Sequence, residues 1–208
     1  MVIAAALILA GGQSRRMGRD KALLPMATSQ GPLPLLRRTC DVAMGCVDRT
    51  YVLTPWPQRY ASLLPPTAVL LQESGGGGGP LVALAQGWVR ILADSQRRGQ
   101  WAPDWLLVLA CDLPAIDLQT LSRWQGELDA VSEIAALPRH QDRWEPLCGF
   151  YHRRCIPSLQ RAIAAKIYSY QGWLAQEEVF PLPVTNSNVL QNCNTPSQWQ
   201  HFLHSRAR

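Results

Sequence analysis

The sequence predicts an α/β chain in which a doubly wound, mostly parallel twisted sheet is flanked by helices. Short unbroken apolar runs alternate with segments of helical periodicity along most of the chain. Two of these runs, Val2–Leu9 and Leu106–Ala110, contain no polar residue, as parallel strands buried on both faces require. Both end in turns rich in chemically capable residues, at the strand ends where sheets of this class bind ligands.

In chain order, Val2–Leu9 reads as the first strand and Leu33–Val47 as the first helix. Tyr51–Leu53 and Ala68–Leu71 are short strands with a short helical segment between them. The five glycines Gly75–Gly79 mark a strand-to-helix turn. Pro80–Ala93 follows as a helix with proline in its first turn, where the missing N–H costs nothing. After the strand Leu106–Ala110, Asp117–Glu127 reads as a helix capped by Asp117. Ala130–Ala136 and Leu147–Tyr151 read as strands and Cys155–Ala165 as a helix. A last helix starts at Pro196 with Thr195 as its N-cap. The length suits one α/β domain or two small ones, and a single domain over residues 1–208 is expected; such a chain buries roughly 70% of its unfolded surface, so no disulfide or metal staple is needed.

Charged residues make up 17% of the chain against 47% apolar, which excludes a disordered polyampholyte. The longest apolar run, Met1–Ala10, is half the roughly 20 residues of a membrane span. Two glycines, then Arg15 and Arg16, follow it where a secretory signal would place a small-residue cleavage site. A cytoplasmic protein without a membrane partner is expected. The net charge of +5 raises the question of nucleic acid. However, Arg15, Arg16, Arg19, Lys21 and the pair Arg37–Arg38 gather near one glycine-rich turn, as in a polyphosphate pocket. The eight tryptophans are not interleaved with a basic stripe, so no nucleic-acid partner is expected. The six cysteines form no C-x-x-C pair and read as reduced, mostly buried thiols.

The first turn runs Leu9-Ala10-Gly11-Gly12-Gln13-Ser14-Arg15-Arg16-Met17-Gly18-Arg19-Asp20-Lys21. Glycines let successive backbone N–H groups approach phosphate oxygens and form an anion nest. The spacing matches neither G-x-G-x-x-G nor the Walker template. Lys21 is one of only two lysines among 20 basic residues, which suggests a site needing a compact point charge rather than a planar fork. The second turn, Cys111-Asp112-Leu113-Pro114, places Asp112 at the end of a buried strand, where it can hold Mg²⁺ beside phosphates. Read alone, it serves equally as a turn residue or N-cap. The third segment, Glu73-Ser74 before the glycines, offers a carboxylate that can accept the paired N–H groups of a base edge, or else forms a slack surface loop.

Leu9 to Lys21 with Ala22-Leu23-Leu24 resembles the L-A-G-G-x-S-x-R-M-G-x-D-K-x-L-L signature of molybdenum cofactor guanylyltransferases. The resemblance continues in order at Gly79-Pro80-Leu81, Cys111-Asp112-Leu113-Pro114, Glu145-Pro146-Leu147 and Asn192-Cys193-Asn194-Thr195-Pro196. It implies a Rossmann-like nucleotidyltransferase fold that transfers GMP from GTP to the phosphate of molybdenum-molybdopterin and releases pyrophosphate. The N-terminal half would bind nucleotide and the C-terminal half the acceptor. Leu9, Ala10, Gly11, Gly12, Ser14, Glu73 and Gly79 would contact the nucleotide. Arg16 and Lys21 would bind phosphates and act in catalysis, and Asp112 would hold Mg²⁺. The pair Gly11-Gly12 goes with guanylyl transfer, because cytidylyl and sugar-nucleotide enzymes typically carry L-A-A-G. The chain departs from the family pattern at Leu53-Thr54-Pro55, where an asparagine is usual, and at Glu73, where aspartate is usual.

Arg139, Arg143 and Trp144 are candidates for an anionic pterin, and molybdenum-insertion proteins or apo-molybdoenzymes are further candidate partners. Two other readings stay open: a nucleotidyltransferase using another nucleotide or acceptor, and a non-catalytic GTP-binding protein that delivers a cofactor.

Overall fold

The computed structural model describes residues 4–28, 31–75 and 78–206. The first strand, β1 (Ala4–Leu9), is buried along almost its whole length; Val2 and Ile3, expected in the same strand, lie outside the described residues. β1 leads through the glycine turn and a 3-10 turn at Lys21–Leu23 into a two-stranded antiparallel ribbon, β2 (Pro25–Thr28) and β3 (Gly31–Pro34). This ribbon corrects the helix expected from Leu33. Proline disfavours helical backbone in the residue before it, so Leu33 pairs with Met26 as a strand and the helix α1 spans only Leu35–Met44.

β4 (Arg49–Thr54), α2 (Pro57–Tyr60), β5 (Val69–Gln72), α3 (Gly79–Arg97), β6 (Trp105–Ala110) and α4 (Leu118–Glu127) then follow in the expected alternation. The Thr120 N–H donates to Asp117 at 2.7 Å, so the expected cap of α4 is present. The expected strand at Ala130–Ala136 is displaced. Residues 128–130 close a 3-10 turn, and strand pairing starts only where Ala135 meets Tyr151, giving β7 (Ala135–His140). The chain continues through β8 (Arg143–Trp144), β9 (Cys148–His152), α5 (Ile156–Ala164), α6 (Tyr170–Leu174), β10 (Val179–Leu182) and α7 (Pro196–Arg206). The Gln198 N–H donates to Thr195 Oγ1 at 3.3 Å at the start of α7, as expected.

The sheet order is β10-β7-β9-β6-β1-β4-β5, with β8 paired only to β7. β1 is parallel to β4 and β6, and Leu9 lies level with Leu53 and Ala110, so three strand ends open at one edge. β9 runs antiparallel between β6 and β7 and opposes Leu109 with Cys148. That reversal brings the segment before Cys148 to the same edge.

Side chains alternate along β1. Ala4, Ala6 and Ile8 join Leu36, Cys40 and Trp124 on the face covered by α1 and α4. Ala5 and Leu7 join Leu84, Trp88 and Trp173 on the face covered by α3, α5 and α6. A smaller third cluster packs Met17, Leu24, Met26, Leu35 and Cys193 against Trp199 and Phe202 of α7. The six cysteines are free, and four of them are buried. No helix among the described residues is long and apolar enough to cross a membrane.

Candidate active site

The aligned ends of β1, β4 and β6 open on a cavity of about 640 Å³, within the range of small-molecule sites. Both backbone groups of Ala10 are committed to β4: its N–H donates to Leu53 O at 3.0 Å, and its carbonyl accepts from Thr54 Oγ1 at 2.9 Å. The two glycines beyond it therefore leave the sheet at a set angle and line the cavity. They differ in what surrounds them. A Cβ on Gly11 would sit 2.7 Å from Glu73 Oε2, so the bare Cα is what lets this carboxylate lie against the turn. A Cβ on Gly12 would meet nothing within 4 Å, and the room there belongs to the cavity.

Ser14 holds the turn in shape. It takes left-handed backbone (φ 51°), its carbonyl accepts from Met17 and Gly18 N–H, and its hydroxyl accepts from Lys21 N–H at 3.1 Å. That last bond aims the Lys21 side chain inward. Its ammonium donates to Asp112 Oδ2 at 2.6 Å and to Asn194 Oδ1 at 2.8 Å, joining three segments far apart in sequence. Asp112 is itself anchored, with its carbonyl accepting the Cys193 N–H at 3.1 Å. Beside it, burial pushes the Cys111 thiol up to about 12, so this cysteine is an inert part of the floor.

Glu73 follows β5, where its N–H donates to Thr54 O at 2.8 Å. Its carboxylate has no hydrogen-bond partner among the described residues, and partial burial raises its pKa above the usual carboxylate value. Gly79 also lines the cavity, with left-handed backbone (φ 72°) at the start of α3; Gly76 and Gly77 lie outside the described residues.

The structure thus brings Leu9, Ala10, Gly11, Gly12, Ser14, Lys21, Glu73, Gly79 and Asp112 to one cavity. Arg16 stands apart: its side chain is exposed and does not line this cavity. Arg37 and Arg38 belong to α1 rather than to the glycine turn. Arg37 pairs with Asp41, and Arg38 donates to Ile116 O at 2.7 Å. Arg139, Arg143 and Trp144 sit together on the β7–β8 hairpin, with the Arg139 guanidinium 4.8 Å over the Trp144 ring, but none lines this cavity.

Sequence reasoning did not single out Asn194, Asp20, Trp56 or Tyr60. Asp20 lies in the first motif and accepts from Tyr60 OH at 2.7 Å and Arg59 at 3.1 Å, which pins the turn to α2. Asn194 lies in the last motif, the signal by which it could have been found.

A divalent cation can be tested against these groups. Among the described residues no three His, Cys, Asp or Glu side chains cluster as a ready-made metal cage. Mg²⁺ usually takes only one or two carboxylates and completes its shell with phosphate oxygens and water. Asp112, a single hard-oxygen ligand whose side chain is 15% exposed at the cavity floor, fits that requirement.

A model of the MobA-like NTP transferase domain matches residues 6–179. The chain belongs to that family. This transferase is 45% identical over 193 residues, 92% of its length and 86% of the relative's, to a probable molybdenum cofactor guanylyltransferase of Nostoc sp.. It is 41% identical over 200 residues to the protein of that name from Synechococcus elongatus, covering 94% of this chain and 96% of the relative. Among solved structures, molybdopterin-guanine dinucleotide biosynthesis protein A of Archaeoglobus fulgidus superposes with a TM-score of 0.75 at 19% identity, over 97% of this chain and 99% of that one. The manganese complex of Rv0371C from Mycobacterium tuberculosis superposes with a TM-score of 0.59 at 18% identity, over 98% of each chain. These last two likenesses show a shared fold, and the family match carries the transferase assignment.

Proposed function

We propose that this transferase moves GMP from GTP to the terminal phosphate of molybdenum-molybdopterin in the cytoplasm, giving molybdopterin guanine dinucleotide and pyrophosphate. The observation that carries the reading is the Lys21 ammonium, held between Asp112 and Asn194 beneath the Gly11–Gly12 turn. It supports phosphate chemistry, while the Nostoc and Synechococcus relatives carry the guanylyl and molybdenum-cofactor parts of the assignment.

An acceptor phosphate is already anionic near neutral pH, with a second pKa of about 6, and attacks without a general base. Among the described residues no histidine lines the cavity, in keeping with that. A new bond forms between the acceptor oxygen and the α-phosphorus as the bond to the bridging oxygen breaks, and its electrons leave with pyrophosphate. Positioning and charge stabilisation then carry the rate. The backbone of Leu9, Ala10, Gly11 and Gly12 seats the nucleotide, Ser14 keeps the turn rigid, and Gly79 lets the start of α3 approach it. Glu73 accepts the guanine N–H edge. Lys21 offsets charge on the departing phosphates, with Arg16 reaching them from the rim. Asp112 would hold a divalent cation, which supplies charge neutralisation at the phosphates when bound. Arg139, Arg143 and Trp144 in the C-terminal half are assigned to the acceptor side.

Pyrophosphate release measured with molybdopterin and each of GTP, CTP, UTP and ATP tests the reading. Release with GTP alone is the expected result. A preference for CTP would move the chain to a cytidylyl activity, and GTP binding without release would make it a carrier.

A further inference from the structure

Among the described residues no hydrogen bond to its carboxylate holds Glu73 against Gly11, so its place is set by the backbone on either side. Upstream, the Glu73 N–H donates to Thr54 O at 2.8 Å and continues the pairing of β5 with β4. Downstream come the glycines, which fix nothing by themselves, because a run without side chains has the most conformational freedom to lose. Glu73 and Gly75 both line the main cavity, whereas Ser74 between them does not and meets α3 instead.

The side-chain amide of Gln86 takes both backbone groups of Ser74. Its Oε1 accepts the Ser74 N–H at 2.9 Å and its Nε2 donates to Ser74 O at 2.7 Å, the two bonds that a paired strand would make. One turn further along α3, Arg90 donates through Nη2 to the Ser74 hydroxyl. Gln86 and Arg90 stand four residues apart and share one face of the helix. The helix itself is closely seated, since a Cβ on Gly87 would lie 2.3 Å from Leu7 Cδ2 of β1. Gln86 therefore reaches Ser74 from a fixed base. Neither Gln86 nor Arg90 lines the cavity. Directly after the clamp, Gly75 takes left-handed backbone (φ 71°), and the chain leaves toward α3.

We propose that Gln86, with Arg90 beside it, is a positioning residue for nucleotide selection. It clamps Ser74 from outside the cavity and so keeps the Glu73 carboxylate against Gly11, aimed at the base edge. The proposal rests on the reading of Glu73 as the guanine acceptor and deepens it. Part of the base preference is placed on a helix face that never touches the nucleotide. A carboxylate released from this seat regains water and meets a base edge less firmly, so GTP loses more than CTP.

Pyrophosphate release with GTP and with CTP, measured for Gln86→Met, Glu73→Gln and the double variant, tests it. Methionine keeps the length and helix preference of glutamine but cannot make the paired bonds. In Gln86→Met the ratio of kcat/KM for GTP to that for CTP should fall about fivefold, through KM for GTP with kcat unchanged. In the Glu73→Gln background the same substitution should change the ratio no further, because its effect passes through that carboxylate. Hydrogen exchange reads the clamp without any activity: the Ser74 amide should exchange faster in Gln86→Met while the amides of β5 keep their protection. An unchanged ratio in Gln86→Met would overturn the proposal. So would an equal fall in both backgrounds, which marks a general loosening of α3. Faster Ser74 exchange beside a Glu73→Gln protein that keeps its full GTP preference would retain the clamp and sink the base-edge reading of Glu73 instead.

Discussion

The floor and the rim of the main cavity are built in opposite ways. On the floor, Lys21, Asp112 and Asn194 are joined by bonds of 2.6 and 2.8 Å, and the Ser14 hydroxyl and Cys193 N–H fix the backbone behind them. On the rim, Glu73 rests against a bare glycine Cα with its carboxylate unpaired among the described residues and partly stripped of water. The floor is organised before substrate arrives, as electrostatic catalysis requires. The rim keeps an unmet hydrogen-bonding demand that a ligand edge can satisfy, which is how a polar pocket discriminates among ligands. On the proposed function, chemistry falls to one wall and selectivity to the other, and substitutions should separate the two.

The largest effect belongs to the floor. Asp112→Ala should lower pyrophosphate release by about a thousandfold or more, with nucleotide selectivity no longer measurable; near-normal rates would leave the floor without a catalytic role. Lys21→Arg keeps the charge but cannot set a compact ammonium between two acceptors. A loss of about a hundredfold in turnover is expected, and full activity would show that charge alone suffices. Asn194→Ala removes one bond to a charged donor, about 1.5–3 kcal/mol. Turnover should fall about tenfold while the ratio of GTP to CTP use stays the same; a changed ratio would erase the division between floor and rim.

Glu73→Gln should do the reverse, costing GTP its preference over CTP several-fold with little change in maximal turnover. It also carries a ligand-free signature. The folded carboxyl has a raised pKa, so stability is greatest below the unfolded value near 4.5 and declines as pH rises through the folded one. The glutamine variant should therefore melt above the wild type at pH 7, with the gain shrinking as pH falls toward 4.5. Equal melting temperatures at both pH values would contradict the rim's desolvation.

The same division marks what could be read from the sequence. The unbroken runs in β1 and β6 and their two turns were legible because buried parallel strands leave no polar residue in the run. The caps at Asp117 and Thr195 were legible because capping is local. The ribbon of β2 and β3 was not, since helical spacing of apolar residues from Leu33 outweighed the constraint imposed by Pro34. β7 was displaced because an apolar run does not show where pairing with β9 begins. Asn194 lay in a recognised motif, but its bond to Lys21 crosses 173 positions of chain, and nothing local encodes it. The polarity of Glu73 was visible, whereas its fit against Gly11 was not.

Met17 connects the glycine turn to the far end of the chain, where it is buried with Trp199 and Phe202 of α7. Segments that share a small buried cluster tend to open together in native-state hydrogen exchange, with a free energy below that of global unfolding. The turn and the last helix are therefore expected to open as one cooperative unit, ahead of the sheet. On heating, that unit should open first, so that nucleotide binding is lost while the amides of β1 and β6 are still protected from exchange.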